Sequence, residues 1–231
     1  MSRVKLIQVK EGVLAENTEK AGSIRERLRD KGTLLLNLMA SPGAGKTHLI
    51  LETIRVLGDQ WRIGIIEADL DSSVDAERVA EAGVRATQLT TGGLCHLDAS
   101  MVDQGLRALG EEDLDLIILE NVGNLVCPAE FDTGAHVSAM ILSLPEGDDK
   151  PRKYPLMFSA CRALVVSKTD YAALADFDVD AVRQSVQRLN PDMPVFPLSC
   201  RTGEGVENWT DWLTDRIEKE IGPRNTPLNP A

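Results

Sequence analysis

Residues 40–47 read Ala-Ser-Pro-Gly-Ala-Gly-Lys-Thr and directly follow an apolar run at residues 34–39. The stretch fits the pattern G-x-x-x-x-G-K-[ST] at every position except the first, which is Ala40. We expect a buried strand before the loop and a helix at residues 47–57 after it. The alternative is a glycine-rich turn that binds nothing, but a Lys-Thr pair in this context favours a phosphate-binding loop, or P-loop.

The residue types in this loop predict binding of a nucleoside triphosphate. Gly43 and Gly45 allow backbone N–H groups to converge on an anion, and the following helix adds its positive dipole end. The Lys46 ammonium can reach the β- and γ-phosphates, and the Thr47 hydroxyl can hold Mg²⁺. The same short segment contains two further expected nucleotide contacts, Ala44 and His48.

The composition predicts one compact domain and argues against two classes of partner. The chain has 231 residues, 43% of them hydrophobic, and a formal net charge of −11. This charge argues against binding to nucleic acid or to an acidic membrane, because both need a basic surface. There is no run of 18 apolar residues and no apolar core of a signal peptide near Met1, so we expect a cytoplasmic protein.

Short apolar runs alternate with helical patterns, which predicts an α/β fold with a single doubly wound, mostly parallel sheet. Strands are expected at residues 34–39, 61–67, 84–89, 114–119, 137–144, 163–166 and 195–198. Helices are expected at residues 47–57, 72–82, 99–109, 181–189 and 205–221. We divide the chain into an N-terminal helical arm (1–31, helical from 12), a P-loop domain with an embedded metal site (32–222) and a loose tail (223–231).

Acidic residues after two predicted strands indicate a Mg²⁺ and catalytic site, because ligands bind at the carboxyl ends of parallel strands. Asp69 and Asp75 follow the second strand, and Glu120 and Gly123 follow the strand at 114–119. We expect Thr47, Asp69 and Glu120 to serve Mg²⁺, and Lys46, Asp75, Glu120 and the Gly123 amide to act in catalysis. A helix-capping role for Glu120 stays open, as does the choice among Asp69, Asp71 and Asp75.

Ser167-Lys168-Thr169-Asp170 is similar to the base-reading N-K-x-D motif of GTPases. The Asp170 carboxylate is an acceptor that matches the N1–H and N2–H₂ donors of guanine, and Lys168 can lie along the ring. Ser199 and Cys200 belong to a stretch that resembles the S-A-K element whose backbone reads guanine O6. These motifs favour GTP over ATP, although Ser167 replaces the usual asparagine and its shorter side chain is expected to weaken the connection to the P-loop.

Cys95, His96 and Cys127 form a candidate metal site. Two thiolates and an imidazole are donors that Zn²⁺ favours and that are compatible with Ni²⁺. The alternative is a pair of core thiols and a capped loop histidine. Because adjacent side chains diverge along an extended backbone, one chain is not expected to complete the coordination, and a two-fold dimer is expected to supply the missing ligands.

Three longer segments resemble the hydrogenase nickel-incorporation GTPase family, HypB. They are Gly93-Leu94-Cys95-His96-Leu97-Asp98, Glu120-Asn121-Val122-Gly123-Asn124-Leu125-Val126-Cys127-Pro128, and Glu146-Gly147-Asp148-Asp149-Lys150-Pro151 with Lys153-Tyr154-Pro155. The resemblance implies a GTPase that dimerises with its nucleotide state, hydrolyses GTP slowly and helps deliver nickel to [NiFe]-hydrogenase. It implies a maturation partner and the hydrogenase large subunit as further partners.

Two other functions remain as alternatives. One is a P-loop ATPase or kinase, which shares the P-loop but lacks a base-reading Asp170. The other is a zinc-stabilised interaction module, in which the cysteines are purely structural. A separate expectation concerns residues 146–154, where Lys150 or Lys153 should reach phosphate or acidic groups across a dimer interface. Two solvated surface lysines are the alternative there.

Overall fold

The computed structural model describes residues 9–69, 78–79 and 81–222, and it leaves the side chains of residues 9–13 and 69 outside that description. In these ranges, seven parallel strands form one sheet in the order β3-β2-β4-β1-β5-β6-β7. The strands are β1 (Leu34–Ala40), β2 (Ile63–Asp69), β3 (Arg85–Thr90), β4 (Leu116–Glu120), β5 (Val137–Ser143), β6 (Ala163–Ser167) and β7 (Val195–Pro197). The predicted doubly wound α/β fold is therefore confirmed.

Helices cover both faces of this sheet. They are α1 (Val9–Asp30), α2 (Lys46–Leu57), α3 (Ala99–Leu109), α4 (Lys150–Lys153), α5 (Pro155–Ala160), α6 (Val179–Leu189) and α7 (Val206–Ile221). Single turns of 3₁₀ helix occur at Cys127–Ala129 and Leu144–Glu146, and a longer one at Thr169–Leu174. No helix in the described ranges is both long and apolar enough to cross a membrane.

Alternate residues of the central strands supply the two sides of the core. Leu36 and Leu38 of β1 point to the side of α2 and α7, where Trp209 is buried. Leu35 points to the opposite side, where Ile24 of α1 and Val102 of α3 pack. This period of two is the geometry of a strand buried on both faces, and it explains why the central strands read as continuous apolar runs.

Some boundaries differ from the sequence expectation for physical reasons. β2 starts at Ile63, two residues later than predicted, because the Arg62 amide donates to the Asp115 carboxylate instead of joining the strand ladder. The short helices α4 and α5 were not expected from the sequence, because each has a proline in its first turn and is too short to show a helical period. Of the helix expected at 72–82, residues 78, 79 and 81 are helical and Ala82 is in a turn. Residues 72–77 and 80, like the tail at 223–231, lie outside the described residues.

In the sheet, β1 lies between β4 and β5. The chain runs from β1 to β2 on one side of β1, and later crosses from β4 to β5 on the other side, so β1 marks the point where the strand order reverses. A crevice forms outside the carboxyl ends of the strands at such a switch point. The P-loop, the segment after β4 and the segment after β5 all begin at this edge, which makes it the candidate functional site.

Candidate nucleotide and metal site

The P-loop has the backbone conformation that its glycines allow. Gly43 has φ 76° and Gly45 has φ 103°, and both values lie in the left-handed region that glycine adopts without a steric penalty. α2 begins directly after Gly45, so its free N–H groups face the loop. Ala40, which departs from the P-loop pattern, is the fully buried last residue of β1 and pairs with Ile141, an extended position that does not require glycine.

The residues expected at the phosphates and Mg²⁺ meet at the start of α2. The Thr47 hydroxyl donates to Glu120 Oε1 at 3.3 Å, and Lys46 Nζ lies 3.8 Å from the same oxygen. Glu120 is 4% exposed. A hydroxyl and a carboxylate side by side suit a hard cation such as Mg²⁺, while the adjacent ammonium suits phosphate.

A second buried carboxylate lies beside Glu120 and was not assigned a role from the sequence. Glu67 of β2 is the register partner of Glu120 on β4, so both side chains leave the same face of the sheet. The sequence signal that could have identified Glu67 is its position near the end of a predicted buried strand. Asp75 and the side chain of Asp69 lie outside the described residues, so their expected roles stay predictions.

The base-reading segment contacts the P-loop through two side chains. Ser167 Oγ donates to the Ala44 carbonyl at 2.7 Å, and Lys168 Nζ donates to the Gly43 carbonyl at 2.7 Å. Lys168 holds a left-handed backbone with φ 62°. The shorter serine side chain therefore still reaches the P-loop, and the weaker connection expected from the sequence stays a prediction.

Asp170 is held in place as a hydrogen-bond acceptor. Ser199 Oγ donates to Asp170 Oδ1 at 2.7 Å, and Arg201 Nη1 lies 3.5 Å from Asp170 Oδ2. The hydrogen bond from Ser199, assisted by the Arg201 charge, lowers the pKa of Asp170 although partial burial opposes it. An ionised carboxylate is the form that accepts the two guanine donors.

A pocket of about 200 Å³ lies beside Asp170 and joins the base-reading residues to the P-loop. It is lined by Ala44, Gly45, His48, Ser167, Lys168, Asp170, Tyr171, Cys200 and Arg201. Tyr171 was not predicted from the sequence, whereas Arg201 is the third residue of the stretch Ser199-Cys200-Arg201, which resembles the S-A-K element. Burial, together with the charges of Glu52 and Asp170, raises the pKa of the Cys200 thiol to about 11, so it acts as a neutral lining group.

The structure brings Cys95 and Cys127 together, with their Sγ atoms 2.9 Å apart. The hydrogen bond shared with Cys127, followed by partial burial, raises the pKa of the Cys95 thiol. His96 is only at the edge of this pair: its Nδ1 is 3.9 Å from Cys95 Sγ, and its ring stacks on Phe131 with centroids 3.8 Å apart. Across the described ranges, no three Cys, His, Asp or Glu side chains converge in a metal-binding arrangement, so the pair is assembled but the predicted triad is not.

A well-ordered segment joins Glu120 to Cys127. Asn121 is fully buried, and its side chain donates to Asn37 Oδ1 of β1 at 3.0 Å. Gly123 lies against the P-loop, since a Cβ at this position would be 3.0 Å from the Pro42 nitrogen. The Asn124 side chain accepts from the Val126 amide and donates to the Cys95 carbonyl at 3.4 Å. One short segment therefore contacts both the P-loop and the thiol pair.

The segment after β5 contacts the P-loop through Glu146. The Ser41 hydroxyl donates to Glu146 Oε1, and the amide and hydroxyl of Ser143 donate to Oε2. The Ser-x-x-Glu spacing of a capping box was the sequence signal for this arrangement. Lys153 pairs with Asp149, and Lys150 lies 5.9 Å from the centre of the Tyr154 ring, so both predicted lysines make contacts inside the chain.

Comparison with known proteins identifies the family. The CobW/HypB/UreG family, nucleotide-binding domain, matches residues 34–197. The hydrogenase maturation factor HypB of Azotobacter vinelandii is 42% identical over 224 residues, which cover 97% of this chain and 73% of that protein. This chain belongs to the HypB family. The resemblance seen in the sequence is therefore confirmed.

Solved HypB structures extend this similarity to the whole fold. The crystal structure of HypB from Helicobacter pylori in complex with nickel superposes with a TM-score of 0.84 at 36% identity, covering 91% of this chain and 99% of that one. HypB from Archaeoglobus fulgidus gives a TM-score of 0.82 at 38% identity, covering 88% of this chain and all of that one (100%). The HypB architecture thus includes the sheet and the edge at which the candidate site lies.

Proposed function

We propose that this chain is a GTP-hydrolysing metallochaperone that couples its nucleotide state to nickel or zinc binding and to dimerisation. It would act in the cytoplasm and assist nickel insertion into [NiFe]-hydrogenase, together with a maturation partner and the hydrogenase large subunit. The observation that carries the proposal is the segment from Gly123 to Cys127. One end of it lies against Pro42 of the P-loop, and the other places a thiol 2.9 Å from Cys95.

The nucleotide half of the proposal rests on chemistry around the P-loop. Backbone N–H groups of Gly43, Ala44 and Gly45 and the Lys46 ammonium would bind the phosphates. Thr47, Glu120 and Asp69 would hold Mg²⁺, which supplies charge neutralisation when bound. The Gly123 amide would sense the γ-phosphate, and Asp75 or Glu120 would orient the attacking water. Position 124 is asparagine and not the glutamine that orients the attacking water in other P-loop GTPases, which supports slow hydrolysis.

The metal half of the proposal treats nickel as cargo. Cys95 and Cys127 offer two sulfur ligands, and rotation of His96 away from Phe131 would add a nitrogen ligand. The H. pylori HypB structure was determined in complex with nickel, which supports nickel as the metal for this chain too. Neither cysteine belongs to the hydrophobic clusters of the core, so removing metal should leave the fold intact, unlike in a zinc-stabilised module.

A second copy of the chain would complete the metal site. The residues beside the two cysteines, Leu94 and Val126, are 45% and 52% exposed. Apolar side chains exposed next to an incomplete ligand set favour a two-fold interface in which each copy contributes its own pair. Lys150 or Lys153 would then reach phosphate or acidic groups of the partner copy across this interface.

Sedimentation of the protein with GDP, with a GTP analogue and with Ni²⁺ in all combinations tests this proposal. We expect monomers with GDP alone and dimers with the GTP analogue or Ni²⁺. Val126→Asp should prevent dimerisation, whereas Leu189→Asp, which is 36% exposed on α6, should not. A protein that stays monomeric in every state would refute the dimer, and equal binding of ATP and GTP would favour the ATPase or kinase alternative.

A further inference from the structure

A buried asparagine of α1 joins the two segments that carry the thiol pair. Asn17 is 9% exposed and uses both ends of its side-chain amide. Its Nδ2 donates to the Asp132 carbonyl at 2.8 Å, and its Oδ1 accepts from the Ala99 amide at 2.8 Å. The hydrogen bond from the Ala99 amide is buried and the one to the Asp132 carbonyl is partly buried, so leaving either group without its partner is costly.

The two residues that Asn17 contacts lie close in sequence to the candidate metal ligands. Ala99 is the first residue of α3 and follows His96 by three positions, while Asp132 follows Cys127 by five. The start of α3 is itself fixed, because the Asp98 side chain accepts from the Met101 amide at 2.8 Å. Asn17 therefore connects the segment that follows Cys95 and His96 to the segment that follows Cys127.

Arg25, two turns further along α1, holds the second segment as well. Its Nε donates to the Ala135 carbonyl at 3.1 Å, and its guanidinium pairs with the Asp132 carboxylate. α1 is anchored to the sheet by fully buried apolar residues, so it is a rigid reference for these contacts. The buried residues are Ala21, Ile24 and Leu28.

We propose that Asn17 is a positioning residue for metal binding, which fixes the two thiol-bearing segments at the separation that a thiophilic divalent cation requires. This inference rests on the proposed function, in which Cys95 and Cys127 bind cargo metal. A thiolate–metal bond tolerates deviations of only about 0.2 Å, so ligands on separate loops bind tightly only when another element fixes those loops. Groups that orient metal ligands from outside the coordination shell have this effect in other metal sites.

The test is a competitive Ni²⁺ titration of wild type, Asn17→Ala and Asn17→Asp. We expect Asn17→Ala to weaken Ni²⁺ affinity about tenfold, the lower end of the loss seen when an outer-shell partner is removed. Asn17→Asp keeps the acceptor for the Ala99 amide but loses the donor to the Asp132 carbonyl, so it should behave like the alanine variant. Wild-type affinity in Asn17→Asp would show that only capping of α3 matters, and it would overturn the two-segment role.

Two controls separate positioning from general destabilisation. Thr53→Val removes another buried polar side chain, which donates to the Leu49 carbonyl and accepts from Trp209 Nε1 on the opposite face of the sheet. It should lower the unfolding temperature without changing Ni²⁺ affinity. Arg25→Ala removes the contacts to Asp132 and Ala135 at a position whose side chain is 30% exposed, and it should weaken Ni²⁺ binding to a smaller extent.

A readout without metal distinguishes failure of the positioning role from failure of the proposed function. The Ala99 amide donates to Asn17 and the Gly134 amide donates to Asp132 Oδ1. Hydrogen exchange at these two amides should be at least several-fold faster in Asn17→Ala than in Thr53→Val, because local opening then requires fewer broken contacts. Equal exchange, or Ni²⁺ affinity equal to wild type in both Asn17 variants, would overturn the positioning role. Absence of Ni²⁺ binding in wild type would instead refute the proposed function, while faster exchange would still support the structural role of Asn17.

Discussion

Gly123 and Pro42 are in such close contact that a methyl group at position 123 would lie 3.0 Å from the Pro42 nitrogen and 3.1 Å from its Cα. Pro42 belongs to the P-loop, and Gly123 begins the short segment that ends at the Cys127 thiol. Because packed interiors transmit displacements instead of absorbing them, movement of one of these two residues must displace the other.

Gly123→Ala should therefore disturb nucleotide binding even though no polar group is removed. The added methyl forces the P-loop away by a few tenths of an ångström, and overpacking of this kind costs about 1 kcal/mol or more. We expect GDP and GTP-analogue affinity to fall roughly fivefold in a fluorescent-nucleotide titration, which corresponds to that free energy.

Gly22→Ala is the matched control for this substitution. Gly22 lies inside α1, and an added Cβ there would have nothing within 4 Å. The variant should raise the free energy of unfolding by about 0.5–1 kcal/mol, since alanine has the higher helix propensity, with unchanged nucleotide affinity. Wild-type nucleotide affinity in Gly123→Ala would show that the contact with Pro42 is not coupled to the phosphate site.

Asp170→Asn should remove the preference for guanine. The amide presents a donor where guanine also presents donors, and an unpaired polar group in the pocket costs about 1–3 kcal/mol. GTP should lose most of its advantage over ATP in a displacement titration, whereas Asp192→Asn, an exposed matched change, should retain it. If GTP still displaces the probe as selectively from Asp170→Asn, residues 167–170 do not read the base.

Lys46→Ala should abolish measurable GTP hydrolysis. Lys46 is the P-loop cation, and its Nζ lies 3.8 Å from Glu120 Oε1, where the phosphates and Mg²⁺ are expected. Phosphate-release kinetics measure the hydrolysis rate of this variant and of Lys219→Ala. Lys219 is an exposed residue of α7, so its substitution should leave the rate unchanged. Turnover at the wild-type rate would remove Lys46 from the site.

Asp103 makes stability depend on pH. Burial opposes its ionisation, but hydrogen bonds and charges from Lys20 and Arg27 outweigh burial and lower its pKa to about 2. Because the pKa of Asp103 is lower in the folded state than in the unfolded state, the ionised carboxylate stabilises the folded protein at pH values above the unfolded-state pKa of about 4. This stabilisation is lost as the pH falls towards 2. It amounts to about 2 kcal/mol at neutral pH.

Asp103→Asn should accordingly destabilise the protein at pH 7, and the difference from wild type should shrink as pH falls from 5 to 3. Urea unfolding at each pH measures the free energy of unfolding of both proteins. Asp59→Asn changes an exposed aspartate in the same way and should have little effect. A destabilisation that stays constant over this range would mean that the carboxylate charge of Asp103 does not contribute.

The sequence predicts the central elements well because local signals and burial agree there. α3 is found at the predicted residues, with Asp98 capping its start and Gly110 closing its end in a left-handed conformation. The strands that are buried on both faces form continuous apolar runs, which are the strongest pattern in the chain. Within the described ranges, the errors concern the ends of strands and helices and short helices such as α4 and α5.

The candidate site is only partly predictable because its geometry depends on contacts between distant segments. The motifs identify Lys46, Thr47, Glu120 and Asp170, but no local pattern indicates that Phe131 stacks on His96 and draws its ring to the edge of the thiol pair. The contacts of Asn17 likewise join residues more than 80 positions apart in the chain. Only the folded chain defines which side chains share a surface.

The central claim is that nucleotide and metal sites communicate through the segment from Gly123 to Cys127. Only three residues separate these two positions, so they stay within roughly 13 Å even when extended. A γ-phosphate that draws the Gly123 amide inward should shift the Cys127 sulfur relative to Cys95. By linkage, bound metal must then change nucleotide affinity by the same factor.

A Ni²⁺ titration of the protein loaded with GDP and with a GTP analogue tests this claim most directly, on wild type and on Cys127→Ala. We expect wild-type Ni²⁺ affinity to differ at least several-fold between the two nucleotide states, and Cys127→Ala to lose both the tight site and the difference. Equal Ni²⁺ affinity in the two states of the wild-type protein would contradict the account.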